Sequence, residues 1–217
     1  NNHGRITVFS PKKQLGARTS EIRELLPGVF LQAERTSPHS IADDFENAGS
    51  YSGSTGATPW SGASWTEGGD GGTGPSGGLV QKVTDLGDLS IGFLANAENN
   101  DRLTRVVGDL SDATGVTLTV DTRCASLEAD NLVQLLVRPD GGAGWTTLDT
   151  FSNCNDASYQ ANSYTLLGGE FGTDTQIRFR VEDPFGGSDS FYFDNVEFTV
   201  DTTVRSVSTV AGAAPPN

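Results

Sequence analysis

Two acidic stretches, a set of aromatic residues and one cysteine pair are the parts of this chain whose residue types could do chemistry. Asp43-Asp44-Phe45-Glu46 places three carboxylates within four residues, and Asp194-Asn195 interrupts the apolar run from Asp189 to Val200. Such carboxylates act either as turn and capping groups or as oxygen ligands. Glu98-Asn99-Asn100-Asp101 is a second acidic loop and reads as a solvated turn. Trp60, Trp65 and Trp145 either stack on the apolar faces of sugars or fill a core, where aromatic rings contribute most by burial. Tyr51 and Trp60 are the best candidates for a ligand-binding platform. Cys124 and Cys154 are the only cysteines; a disulfide is the expected reading for a secreted domain, with two buried thiols as the alternative.

Enzymatic chemistry finds no foothold. The two histidines, His3 and His39, precede the main domain, which gives no basis for a nucleophile–histidine pair or a zinc site. No stretch singles out a carboxylate pair for glycoside hydrolysis. The Gly-rich run around Gly71 lacks the Lys-Ser/Thr and the helix of a phosphate-binding loop. The expectation is a protein that is not an enzyme.

The elements that must position these residues are strands. Val116, Leu118 and Val120 alternate with Thr117, Thr119 and Asp121, and Ile177, Phe179 and Val181 alternate with Arg178, Arg180 and Glu182. Strands are expected at 79–83, 89–94, 103–107, 116–122, 132–138, 145–151, 163–167, 176–181 and 191–200, with a turn at Pro139-Asp140-Gly141-Gly142. In the last run the apolar set is Phe191 and Phe193, then Val196, Phe198 and Val200, so it changes face across Asp194-Asn195 as at a β-bulge. With 27 glycines and no convincing helix between strands, the chain reads as all-β: a jelly-roll β-sandwich of about nine or ten antiparallel strands. Asp43–Glu46 and the last strand are expected to meet as neighbours and close the sandwich.

Three segments follow from composition: an arm over 1–40, the sandwich over 41–201 and a tail over 202–217 that offers one further strand. The first 35 residues hold six Lys/Arg against three Glu, on a chain of net charge -14. The arm combines a short strand at Arg5–Phe9, a short helix near Glu21–Leu26 and an apolar patch at Val29-Phe30-Leu31. It has too little apolar surface for its own core, so it docks on the body or on another copy of the chain. Arg5, Ile6, Val8, Phe9, Val29, Phe30 and Leu31 are the candidate assembly residues. The acidic body argues against nucleic acid as a partner. No run of about 18 apolar residues is present to span a membrane. The absence of Met and the start at Asn1 lead to the expectation of a processed, secreted or cell-surface chain.

Over residues 43–200 the pattern resembles bacterial extracellular jelly-roll modules of the MAM and laminin-G-like kind. The likeness rests on Asp43-Asp44-Phe45-Glu46, Trp65-Thr66-Glu67, the strand 133–138 followed by Asp140-Gly141-Gly142 and Trp145, Gln176–Val181, and Phe191-Tyr192-Phe193-Asp194-Asn195-Val196. It implies burial of Trp65 and Trp145. Related carbohydrate-binding jelly rolls imply a structural calcium held by Glu46 and Asp194, with Asp43 or Asp44. Calcium takes six to eight oxygens, so this set works only if the first and last strands adjoin; otherwise these are capping and bulge-forming carboxylates. Two functions fit. The first is a structural subunit of an extracellular fibre, sheath or surface layer, whose arm contacts the next copy. The alternative is a secreted carbohydrate-binding or adhesion module, calcium-stabilised, with surface polysaccharide as its partner.

Overall fold

A computed structural model of the protein describes residues 31–47, 49–71 and 74–208. Eleven strands make up the described chain: β1 (Leu31–Asp43), β2 (Thr66–Gly68), β3 (Val80–Asp85), β4 (Asp88–Phe93), β5 (Arg102–Gly108), β6 (Ala113–Ala125), β7 (Leu132–Arg138), β8 (Thr146–Phe151), β9 (Gln160–Leu166), β10 (Thr175–Asp183) and β11 (Ser190–Ser208). They form two antiparallel sheets packed as a β-sandwich. One sheet has the order β3-β4-β11-β6-β9, with β1 also paired to β11; the other has the order β2-β5-β10-β7-β8. From β4 onward the chain changes sheet at nearly every connection, the β7–β8 hairpin being the exception, which is the jelly-roll path. The chain divides into two compact units, Pro38–Asp201 and a smaller one of Asn1–Ser37 with Thr202–Asn217. In the smaller unit, Thr202 Oγ1 donates to the Ser37 carbonyl.

Alternation decides which side chains go inside. Along β6, Val116, Leu118 and Val120 are buried, and along β10 so are Ile177, Phe179 and Val181. The centre is aromatic: Phe179 of β10 stacks on Phe193 of β11 at 3.7 Å between centroids, joining the two sheets. Trp65 packs against Phe45, Trp60, Phe179 and Phe193 in the same cluster. Each ring removed from water contributes on the order of 2–3 kcal/mol.

All nine expected strands are present. Two more were not foreseen: the three-residue β2, and β1, which runs across the expected arm boundary at residue 40. Among the described residues the tail adds no separate strand, because β11 continues to Ser208. The change of face at Asp194-Asn195 is real: Phe191 and Phe193 are buried, then Val196, Phe198 and Val200, and Asn195 has φ 48°. β1 and β11 are neighbours. Cys124 and Cys154 form a disulfide. Of the candidate assembly residues, Arg5, Ile6, Val8, Phe9, Val29 and Phe30 lie outside the described residues, and Leu31 begins β1. No helix among the described residues is long and apolar enough to cross a membrane.

Candidate functional site

The acidic and aromatic candidates from the sequence turn inward. Asp43 ends β1 inside the sandwich, and its side chain is fully buried. Its Oδ2 accepts from Arg105 Nη1 at 2.5 Å and from Trp65 Nε1 at 2.9 Å, while Oδ1 accepts from the Phe45 amide at 3.0 Å. Arg105, on the inner face of β5, lies over the Trp60 ring at 4.4 Å. Burial lowers its pKa, and the Asp43 charge opposes that. This is a structural ion pair in an aromatic cage.

The expected sugar platform is not a platform. Tyr51 is 7% exposed and Trp60 6% exposed, so neither offers a ring face to a ligand. The Tyr51 hydroxyl donates to the Val80 carbonyl at 2.8 Å and lies 3.2 Å from Glu67 Oε2. Trp60 Nε1 donates to the Ala42 carbonyl at 2.8 Å. The turn-rich segment before β2 folds back over the aromatic cluster and buries both rings, because the area gained exceeds what an exposed indole or phenol would retain.

The residues of the expected calcium set do not fit a metal as they stand. Asp43 is committed to Arg105 and Trp65, and Asp44 Oδ1 accepts from the Glu46 amide at 3.2 Å. Among the described residues, these four side chains do not bring three ligand atoms within 4.8 Å of one another; the one group that does is Cys124, Cys154 and Asp156, whose sulfurs are joined to each other. The nearby carbonyls of Phe45 and Asn47 already receive a cation, the Lys82 ammonium, at 2.6 and 2.7 Å. Asp194 is pushed up to about 7 by burial and by the charges of Asp88, Asp121 and Glu46.

A different surface has the character of a binding site: the outer face of the second sheet. Side chains that alternate with the buried Ile177 and Phe179 point outward from β10, namely Gln176, Arg178 and Arg180. Antiparallel register sets Arg178 opposite Thr104 of β5 and Leu136 of β7. It sets Gln176 opposite Val106 and Arg138, and Arg180 opposite Arg102 and Gln134. Half of the eight Lys/Arg that follow residue 35 therefore meet on one face of an acidic protein. On the far side, β2 places Thr66 opposite Thr104 and Gly68 opposite Arg102. A groove of about 450 Å3 crosses this face, with Arg102, Arg138, Arg178, Thr104 and Gln176 in its lining.

The guanidinium groups are held in place by neutral partners. Arg138 donates from Nε and Nη2 to Gln176 Oε1 at 3.2 and 2.7 Å. Arg178 Nε donates to Thr104 Oγ1 at 2.9 Å, and Arg102 Nη1 to the Asn100 carbonyl at 3.1 Å. Trp145, half-buried just before β8, lies under both Arg178 and Arg138, with guanidinium carbons 4.0 and 4.5 Å from the ring centroid. The expected core burial of Trp145 is thus replaced by a place on the outer face. Gly68 makes room for Arg102: a Cβ there would stand 2.8 Å from its Nη2. Arg180 pairs with Glu182, but among the described residues Arg102, Arg138 and Arg178 have no carboxylate partner. Burial and then the charges of Arg102, Arg138 and Arg180 lower the Arg178 pKa to about 10.

No family model matches the sequence, and a search of curated proteins found no match. Among solved structures the chain is similar to the C-terminal family 22 carbohydrate-binding module of Clostridium thermocellum Xyn10B, at 13% identity over 73% of this chain and 91% of that one, with a TM-score of 0.49. It is similar to a family 61 module solved in complex with β-1,4-galactotriose, at 14% identity over 62% and 86%, TM-score 0.44. A xylan-binding domain from Paenibacillus barcinonensis Xyn10C follows at 12% identity over 74% and 94%, TM-score 0.45. The likeness is one of β-sandwich fold, to carbohydrate-binding modules.

Proposed function

We propose that the chain is a non-catalytic module that binds a polysaccharide along the outer face of the second sheet. One observation carries the reading: the groove across β2, β5, β10 and β7 is lined by guanidinium, amide and hydroxyl groups fixed by one another and by Trp145, with the Glu67 carboxylate beside them. A rigid row of donors on a sheet face suits an extended, hydroxyl-rich chain, since little conformational freedom is lost in the protein on binding. Outward residues two apart on a strand are about 7 Å apart, so Gln176 to Arg180 offers contact over roughly 13 Å. Among the described residues the groove lining holds no histidine or cysteine; the described histidine, His39, belongs to β1. The disulfide supports an extracellular setting. The assembly reading has no comparable observation behind it, so the module reading takes first place.

The test is native electrophoresis of the full chain through gels containing xylan, β-1,3-glucan, galactan or polygalacturonate. Retardation in at least one gel, lost in Arg178→Leu, is the expected result. Unretarded migration in every gel overturns the proposal.

A further inference from the structure

Three of the guanidinium groups on the outer face are arranged for anions. Arg178 gives only its Nε to Thr104, so its two terminal nitrogens have no hydrogen-bond partner among the described residues. That edge of a guanidinium presents two parallel N–H donors, the geometry that matches the two oxygens of a carboxylate. Arg138 keeps Nη1 free after bonding Gln176, and Arg102 keeps Nε and Nη2 free, lying flat against Gly68. Like charges at this spacing repel, and half-burial against Trp145 removes part of their hydration. Elsewhere in the described chain Arg105 is neutralised by Asp43 and Arg123 by Asp85, and on this face only Arg180 has such a partner, Glu182. Here the protein supplies Gln, Thr and a backbone carbonyl in place of carboxylates, although its sequence holds 28 Asp and Glu. The groove lining holds one carboxylate, Glu67, whose Oε2 is engaged by Tyr51 and the Gly74 amide, so a ligand carboxylate would supply the counter-charge these three guanidiniums lack.

We propose that the occupant of this groove is a uronate polysaccharide, with one sugar carboxylate seated on the terminal nitrogens of Arg178 and neighbouring carboxylates or hydroxyls on Arg102 and Arg138. This rests on the polysaccharide reading above and narrows it to one chemical class. Two competing polymers fit less well. Nucleic acid draws its affinity mainly from many phosphate contacts along an extended basic footprint, which three unpaired guanidiniums on a chain of net charge -14 do not provide, and the Trp145 ring, covered by two guanidiniums, has no open face for base stacking. An extended acidic peptide is captured by adding a strand at a sheet edge, but the central strands β5, β10 and β7 already use their backbone groups in the ladder. A uronate chain needs neither base stacking nor backbone pairing. The acidic remainder of the surface repels it everywhere except at this patch, which makes binding local and salt-dependent.

The experiment uses the full chain and calorimetric titration with polygalacturonate oligomers, free and methyl-esterified, alongside neutral galactan oligomers, sulfated galactan oligomers and poly-glutamate. The free uronate is expected to bind about tenfold or more tightly than its methyl ester, the scale of one charge-assisted bidentate contact. Raising NaCl from about 50 to 500 mM should weaken binding severalfold, because the contact is screened. Arg178→Leu should lose the preference for free carboxylates, and Arg178→Lys should recover only a minor part, since an ammonium cannot form the two parallel bonds. The ester comparison needs no altered protein, so misfolding of a variant cannot mimic it. Equal binding of free and esterified polymer, or binding of neutral galactan alone, overturns the uronate assignment and leaves the polysaccharide reading standing. Tighter binding of sulfated galactan or of poly-glutamate also overturns it. No binding to any sugar polymer removes both.

Discussion

Replacing Asp43 tests how the interior is held together. The Asp43 carboxylate is the only ion-pair partner of Arg105 among the described residues, and the two side chains are 0% and 2% exposed. Asp43→Ala leaves a guanidinium enclosed by Trp60 and Trp65 without a counter-charge, and leaves the Trp65 indole N–H and the Phe45 amide without acceptors. Breaking a buried pair by removing one partner costs about 3–5 kcal/mol, mainly the burial of the orphaned charge. At about 2–4 °C per kcal/mol for a chain of this size, the midpoint should fall by roughly 6–20 °C. Urea denaturation followed by tryptophan fluorescence measures the loss directly. Arg105→Leu combined with Asp43→Ala should cost less than the sum of the single changes, because the double variant buries no unpaired charge. A loss below about 1 kcal/mol for Asp43→Ala, within the range of an exposed pair, would refute the reasoning.

Three further outcomes follow from the same geometry. Gly68→Ala should shift the Arg102 guanidinium, so affinity for the polymer falls severalfold while stability stays within about 0.5 kcal/mol, as titration and denaturation of one preparation would reveal. Asp194 titrates at about 7 when folded, against an ordinary value of 3.8. Between about pH 4 and 7 the native state therefore holds a proton that the unfolded chain has released, so stability from this group falls as pH rises through that window and levels off above it. Asp194→Asn should flatten the slope between about pH 4 and 7; an unchanged slope would assign it to other groups. We propose that the Lys82 ammonium takes the place of a structural cation at the Phe45 and Asn47 carbonyls. Lys82→Met should then cost about 1–3 kcal/mol through two lost charge-assisted bonds, and a chelator should leave the unfolding midpoint of the native protein unchanged. A midpoint lowered by the chelator would restore calcium.

Much of the fold was legible because burial writes a period of two into a strand. Ile177, Phe179 and Val181 gave β10, and Val116, Leu118 and Val120 gave β6. The displaced face at Asp194-Asn195 could be read one residue at a time. β1 was hidden because Ser37, Pro38, His39 and Ser40 are poor strand formers, and pairing with β11 overrides their preference. β2 has only three residues and no period to detect. Site residues were harder. Tyr51 and Trp60 stand among glycines and serines, which suggested exposure; only the folded loop shows that they close the aromatic cluster. Asp43 looked like a ligand because Arg105, its partner, lies 62 residues away. The outer-face arginines carried a partial signal, the alternation of Arg178 and Arg180 with buried apolar residues. Their meeting with Arg102 and Arg138 depends on cross-strand register, which local sequence does not encode.

The most direct test of the binding face is backbone and indole NMR of the labelled chain titrated with polygalacturonate oligomers. Shifts should concentrate on Thr104, Gln176, Arg178 and the Trp145 indole N–H, and the buried Trp60 and Trp65 indoles should stay still. Shifts confined to the outer face of the other sheet, around Thr117, Thr119 and Tyr192, would contradict the assignment of the site.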